Sequence, residues 1–155
     1  MEPVVGSGHL KTDNIEEAKS LINPNFALIN PEIVCGKAHL EQAAYLADKA
    51  HMHQYNLAND KSTEALLYLT AQRQISKAIE VGGITEKQKA VAWISFDELP
   101  KNLSTFLSLD ESILSHENFD YSSLNLGEKL KSKLTPEEKQ KIVMTRTATL
   151  PVQPR

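Results

Sequence analysis

Arg73 has the type of side chain and the position best suited to bind an anion. It immediately precedes a predicted helix over residues 74–81, whose first turn offers free backbone N–H groups and the positive end of the helix dipole. Lys77 follows one turn along that helix, and Gln72 and Gln74 add amide donors. An arginine can hold a phosphate group through two parallel hydrogen bonds. The spacing therefore predicts an anion site at the helix start.

The same arginine also has a purely structural interpretation. Two acidic residues, Glu64 and Glu80, lie near enough along the chain to pair with it. Such a salt bridge would stabilise the start of the helix and would leave nothing to attract an anion. The local spacing leaves both interpretations open.

The Gly36-Lys37 pair suggests a phosphate-binding loop but does not complete its pattern. That loop needs a glycine five residues before Gly36 and a serine or threonine after Lys37. Pro31 and Ala38 occupy those two places. We therefore expect no nucleotide-binding loop here.

The histidines and the single cysteine do not form a recognisable catalytic or metal-binding group. His51 and His53 stand two residues apart on a predicted helix and so point to different faces. Cys35 follows an apolar run, which is typical of a small buried core residue. No nucleophile, base and orienting residue can be placed together from the sequence. We expect no metal, no cofactor and no catalytic activity.

The composition limits the classes of protein to which this sequence can belong. Of 155 residues, 41 % are hydrophobic and 24 % are charged, with a formal net charge of −3, as in ordinary globular domains. Acidic residues are concentrated over 97–120 and basic residues over 128–155. The sequence has no long apolar span and no secretory signal pattern, and one cysteine suits a reducing compartment. We expect a cytoplasmic protein without a membrane partner, with one domain over 1–150 and a tail over 151–155.

Hydrophobic periodicity predicts an α/β fold, a single small domain in which a few-stranded sheet is covered by several helices. The predicted strands cover residues 4–10 (at a sheet edge), 26–29 and 90–96. The predicted helices cover 15–21, 38–55, 64–70 with Ser62 as N-cap, 74–81, and a segment near 99–107. Thr135-Pro136-Glu137-Glu138 is a capping box that predicts a last helix reaching about residue 147. Residues 110–127 are predicted to be a short helix and an irregular connection.

Five motifs in a fixed order resemble one family, the small kinase-binding subunit of the KEOPS complex. They lie in residues 28–34, 36–40, 62–69, 73–79 and 83–84, and the predicted strand over 90–96 follows them. The Arg73-Gln74-Ile75 element and the Gly36-Lys37 pair resemble the archaeal members. The similarity is strong over residues 26–96 and loose in the last helix.

The resemblance implies a function that composition does not supply. Members are non-catalytic α/β subunits that bind and regulate the atypical PRPK-type kinase and ATPase of KEOPS, and contact its other subunits only indirectly. The complex forms threonylcarbamoyladenosine next to the anticodon of tRNA, and this subunit helps to bind the single-stranded 3′ CCA end. The alternative is a stand-alone small-ligand-binding or regulatory α/β domain.

The resemblance also assigns candidate residues to the two partners. For the tRNA end they are Arg73, Lys77, Gln72, Gln74, Lys37 and His39. For the kinase they are Ile75, Ile79, Ile84 and Gly83.

Overall fold

Four antiparallel strands form one sheet in the part of the chain that the computed structural model describes, residues 2–114 and 135–148. The strands are β1 (Val4–Leu10), β2 (Phe26–Ile29), β3 (Ala90–Ser95) and β4 (Leu107–Leu109), in the order β2-β3-β1-β4. The helices are α1 (Ile15–Lys19), α2 (Lys37–Met52), α3 (Lys61–Thr70), α4 (Ile75–Gly82), α5 (Leu103–Phe106) and α6 (Pro136–Ala148). Two single 3-10 turns cover Pro31–Ile33 and Glu111–Leu114. The predicted α/β class is confirmed.

The sheet separates two hydrophobic clusters, because successive side chains of a strand point to opposite faces. In β2, Ala27 and Ile29 belong to the cluster formed with α2, α3 and α4. Phe26 and Leu28 belong to the other cluster, which α1 and α5 cover. This layered arrangement explains why β2 is buried along its whole length although it lies at a sheet edge.

Helix α3 packs against α2 through a stripe of alanines on α2. Ala43, Ala44, Ala47 and Ala50 are all buried in the larger cluster, and their small side chains allow α3 to approach closely. The predicted start of α3 is wrong by three residues. Asp60, rather than Ser62, is the N-cap, and its carboxylate accepts a hydrogen bond of 2.8 Å from the backbone N–H of Thr63.

The first strand lies inside the sheet, between β3 and β4, so the predicted edge position is wrong. Two glycines of β1 allow close packing against its neighbours in the sheet. Gly6 pairs with Trp93 on β3, and a Cβ at position 6 would collide with the indole ring. A Cβ at Gly8 would stand 2.6 Å from the backbone oxygen of Ser108 on β4.

The helical spacing near residues 99–107 predicts one helix, but the structure divides this segment. Only Leu103–Phe106 is helical, and Leu107–Leu109 pairs with β1, where Leu107 lies opposite Leu10. The pairing partner lies nearly a hundred residues away, which a local periodicity cannot reveal.

The capping box at the start of α6 is confirmed. The backbone N–H of Glu138 donates to the Thr135 hydroxyl at 3.2 Å, and the Thr135 N–H donates to the Glu138 carboxylate at 3.3 Å. The helix ends at Ala148, close to the predicted end. Most of the predicted connection over 110–127 and the predicted tail over 151–155 lie outside the described residues.

Candidate functional site

Helix α4 presents two isoleucines to solvent. Ile75 and Ile79 are 40 % and 50 % exposed and stand one turn apart. Ala78 and Gly82, on the adjoining side of the helix, are buried, and a Cβ at Gly82 would stand 3.0 Å from both Leu66 and Thr70 of α3. An exposed apolar pair beside a well-packed helix face is typical of a surface that binds another molecule.

Lys77 lies on a different face of α4. Because each helical residue turns the chain by about 100°, Lys77 stands about 200° from both Ile75 and Ile79. Its ammonium group is 3.9 Å from the Glu80 carboxylate, in an exposed pair that contributes little to stability. The helix thus separates an apolar face from a charged one.

Arg73 lies in the short turn that joins α3 to α4. Ala71 adopts the left-handed conformation (φ 52°), and the backbone N–H of Gln72 donates to Leu67 at 3.0 Å, which together end α3. Gln74 is the N-cap of α4 and makes no side-chain cap hydrogen bond. The structure therefore brings Gln72, Arg73 and Gln74 to the start of α4, as the sequence predicts.

Arg73 is half-buried and lies close to the phenol of Tyr68. Burial raises the pKa of Tyr68 to about 12, and the positive charge of Arg73 partly opposes that rise. The side chain of Arg73 is thus partly covered by the protein, and its positive charge lies near enough to Tyr68 to act on the pKa of the phenol.

The two acids considered as partners of Arg73 are engaged by other groups. Glu80 lies near Lys77, as described above. Glu64 is buried, and its carboxylate accepts hydrogen bonds from the backbone N–H groups of Leu57 at 2.7 Å and Ala58 at 3.2 Å. Burial raises the pKa of Glu64, while these two hydrogen bonds act to lower it. Glu64 thus stabilises the loop that precedes α3.

Two of the four residues assigned to the kinase surface have structural roles. Ile84 is only 5 % exposed and packs in the cluster under α1 and α5, so the assignment of Ile84 to a surface is wrong. Gly83 closes α4 by donating from its backbone N–H to Ile79 at 2.8 Å. A Cβ at position 83 would stand 2.6 Å from the backbone oxygen of Ile79, which explains why this residue is glycine.

His39 cannot contact RNA in the folded protein, because it is fully buried. Its Nδ1 accepts from the backbone N–H of Cys35 at 3.0 Å, and its Nε2 lies 3.0 Å from the Thr147 hydroxyl. Burial lowers the pKa of His39 to about 4, so the ring is neutral. The predicted tRNA contact by His39 is therefore wrong. Cys35 is buried, as predicted.

Lys37 is exposed at the first position of α2, and so it belongs to a different element from Arg73.

Sequence reasoning missed a second exposed surface, on α2. Tyr45, Lys49 and Met52 recur at helical spacing on the side opposite the alanine stripe, and His53 and Tyr55 follow the helix end. We call these five residues the α2 platform. Their spacing was visible in the sequence, but apolar residues at such spacing usually face a core.

The described residues place no three histidine, cysteine, aspartate or glutamate side chains where they could together hold a metal ion. Within the same residues, no helix is long and apolar enough to span a membrane.

The fold and these surfaces define a small α/β domain with an exposed apolar helix face, as in proteins that bind other proteins. A family model described as "Kinase binding protein CGI-121" matches residues 9–140. This match covers most of the sequence, so the chain belongs to the CGI-121 family of kinase-binding proteins. The predicted family is confirmed; the archaeal subgroup stays a prediction. No curated protein matches the sequence.

Proposed function

We propose that this protein is the non-catalytic subunit of a KEOPS-type complex, in which it binds and regulates the PRPK-type kinase and helps to hold the 3′ CCA end of tRNA. Membership of a kinase-binding family supports the first role. The separate apolar and cationic features of α4 support two partners. The proposal rests above all on one observation, the exposed Ile75–Ile79 pair in a family that binds a kinase.

The kinase surface is the apolar face of α4. A stable protein interface needs an apolar centre from which charged groups are excluded. Ile75 and Ile79 provide such a centre, and Lys77 lies on another face of the helix and need not be desolvated. We place the kinase against the isoleucine pair.

The kinase surface can be tested by capture with a purified PRPK-type kinase. The variant Ile75→Glu/Ile79→Glu should lose most of the binding, because a charge buried in an apolar contact is strongly unfavourable. The matched control is Leu109→Glu, which adds a charge at an exposed leucine on β4. Circular dichroism confirms that both variants are folded. If the double variant captures the kinase as well as the wild type does, the surface lies elsewhere.

The tRNA contact is centred on Arg73. A single-stranded RNA end is held by cations at its phosphates and by polar groups at its base edges. Arg73 and Lys77 supply positive charge at α4, and Gln72 and Gln74 supply amide groups beside them. Lys37, exposed at the start of α2, is a further candidate for a phosphate contact.

A binding titration with intact and CCA-trimmed tRNA tests this contact. Both trimming the tRNA and the Arg73→Glu substitution should remove most of the binding, since the latter places a negative charge beside a helix start. The matched control is Lys19→Glu, which reverses an exposed charge on α1. Equal affinity of intact and trimmed tRNA would place the contact elsewhere.

The alternative of a stand-alone ligand-binding domain has less support. Two concavities adjoin α1. The more enclosed one measures only about 180 Å³ and is lined by Leu10, Thr12, Ile15, Gln88 and Lys89 among others. The other measures about 600 Å³ but is wide open to solvent. Pockets for small molecules are usually about 300 Å³ or larger and enclose most of the ligand. A ligand-binding domain would retain a small molecule and would not capture the kinase.

The isolated subunit should neither hydrolyse ATP nor require a metal for its binding functions. The test is an ATPase assay on protein purified to constant specific activity, with a chelator in a parallel sample. ATP turnover that copurifies with the protein would overturn the non-catalytic role.

A further inference from the structure

Helix α6 attaches to the rest of the domain with little apolar contact. Of its side chains that the structure describes, only Val143 and Thr147 are buried. Neither hydrophobic cluster includes a described residue of α6. Hydrophobic burial is the main favourable contribution to folding, and elements with few buried apolar contacts open more readily than the core. The last helix is therefore the least firmly attached of the long helices.

Hydrogen bonds take the place of apolar packing between α6 and α2. The side-chain amide of Gln140 donates to the backbone oxygen of Cys35 at 2.9 Å, and that of Gln42 donates to the backbone oxygen of Met144 at 3.0 Å. Such bonds add little net stability, because water replaces them when the two surfaces separate. Oε1 of Gln42 is buried without a hydrogen-bond partner among the described residues. Separation of the helices would let water reach that oxygen and so would remove an unfavourable desolvation.

His39 lies under the end of α6 with both ring nitrogens engaged. Nδ1 accepts from the backbone N–H of Cys35, and Nε2 lies 3.0 Å from the Thr147 hydroxyl. A proton on Nδ1 would face the N–H of Cys35 and would abolish that hydrogen bond. The ring is also fully buried, so that water could not solvate a charge on it. The attached helix therefore requires a neutral His39.

Charged side chains do not offset the cost of a proton on the buried ring. Burial alone lowers the pKa of His39 to about 4, and no described charged residue contributes to that shift. The ionisable residues that flank the ring along α2 and α6 are Cys35, Lys37, Glu41 and Arg146. Once α6 separates, water can solvate the ring, whose ordinary pKa is 6.5.

We propose that α6 is a proton-sensitive strap, which detaches from α2 as a unit while the sheet and the other helices stay folded, and which acid releases by protonating His39. Its contacts through Gln140, Met144 and Thr147 lie on one face of the helix, so they are broken together. A detached helix of 13 residues is barely stable in water, so α6 then also loses its backbone hydrogen bonds. Detachment needs no partner, and the strap is therefore independent of the kinase and tRNA roles proposed above.

Protonation of His39 sets the size of the pH effect. Below pH 6.5 the detached state binds a proton at this ring and the attached state does not, so the equilibrium constant for detachment rises as the pH falls. With pKa values of about 4 in the attached state and 6.5 in the detached state, this constant should rise about twentyfold between pH 7 and pH 5.

Hydrogen exchange of the whole chain, followed by mass spectrometry, tests the strap. The amides of α6 should exchange through an opening that is more frequent than the opening that exposes β3. The α6 opening should also depend less on urea, because it exposes less surface. After correction for the intrinsic effect of pH on exchange, the α6 opening should be about twentyfold more frequent at pH 5 than at pH 7. The fluorescence of Trp93 verifies that the domain is folded at both pH values.

Three variants assign the effect to the contact between His39 and α6. His39→Gln does not titrate, and its α6 opening should differ by no more than about twofold between the two pH values. Thr147→Val removes the hydroxyl that faces Nε2 and should make the opening about tenfold more frequent. The matched control is Thr145→Val, on the exposed side of the same helix, where the hydroxyl bonds only to the backbone oxygen of Lys141. It should stay within about twofold of the wild type.

Four results would overturn the inference. They are exchange of α6 and β3 through a single opening with one urea dependence, no increase of the α6 opening between pH 7 and pH 5, the same increase in a folded His39→Gln variant, and equal effects of the two threonine substitutions. If His39→Gln does not fold, the urea and pH dependences of the wild type decide the outcome, together with the threonine pair.

Discussion

The imidazole of His39 and the hydroxyl of Thr147 lie 3.0 Å apart in the buried contact between α2 and α6, although 108 positions separate them in the chain. Because Nδ1 accepts from Cys35, Nε2 carries the proton and donates to Thr147. Gln140 on α6 adds a hydrogen bond of 2.9 Å to the backbone oxygen of Cys35. Polar side chains thus fix the last helix against the start of α2.

The buried histidine should make the protein less stable in acid. The pKa of His39 is about 4 in the folded state, against an ordinary value of 6.5. As the pH falls below 6.5, the unfolded chain takes up a proton at this ring and the folded protein does not, so the free energy of unfolding decreases until the pH nears 4. The full effect is about 3 kcal/mol.

The measurement is urea unfolding of the wild type and of His39→Gln at several pH values between 7 and 4. Glutamine does not titrate, and other groups contribute equally to both proteins. The wild type should lose stability relative to the variant as the pH falls. A difference that stays constant across this range would contradict the assignment of a depressed pKa to His39.

Two isoleucines five positions apart should respond differently to truncation. Ile84→Ala should lower the free energy of unfolding by about 2–5 kcal/mol, because it opens a cavity in the cluster under α1. Ile79→Ala should cost less than about 1 kcal/mol, because that side chain is half exposed. Urea unfolding measures both values. In the kinase capture assay the order should reverse, with Ile79→Ala the more harmful and a folded Ile84→Ala nearly neutral.

The buried carboxylate of Glu64 should be essential to the loop before α3. Glu64→Ala leaves the N–H groups of Leu57 and Ala58 without their acceptor and should cost about 3 kcal/mol or more. Glu64→Gln should cost less, because its amide oxygen still accepts a hydrogen bond. Urea unfolding and hydrogen exchange at Leu57 and Ala58 provide the readouts. Equal stability of the alanine and glutamine variants would contradict this role.

Gly6→Ala should displace the indole of Trp93, because the added methyl group collides with that ring. We expect a loss of about 1–3 kcal/mol from overpacking, together with a change in the near-ultraviolet circular dichroism. The ring also stacks on Phe26, with centroids 5.9 Å apart, so its displacement disturbs the smaller cluster. Trp93 is the single tryptophan, which makes its fluorescence a direct probe. An unchanged spectrum with wild-type stability would contradict the collision.

Local sequence was sufficient wherever a structural feature depends on neighbouring residues. The alanine stripe of α2 and the Thr135–Glu138 capping box were both predictable, because each involves side chains within about one or two helical turns. The start of α4 beside Arg73 was predictable for the same reason. The family could also be predicted, because several of its motifs occur in a fixed order along the sequence.

The tertiary structure decided which of several chemically similar residues are available to a partner. Ile79 and Ile84 look alike in the sequence, but one lies on the outer face of α4 and the other beneath the sheet. His39 is buried because α6 covers it, and β1 is interior because β4 pairs with its free side. The burial of His39 and the interior position of β1 depend on contacts between segments about a hundred residues apart. Apolar residues bury against one another however far apart they are in the sequence. A local pattern therefore cannot specify which surface stays exposed to solvent.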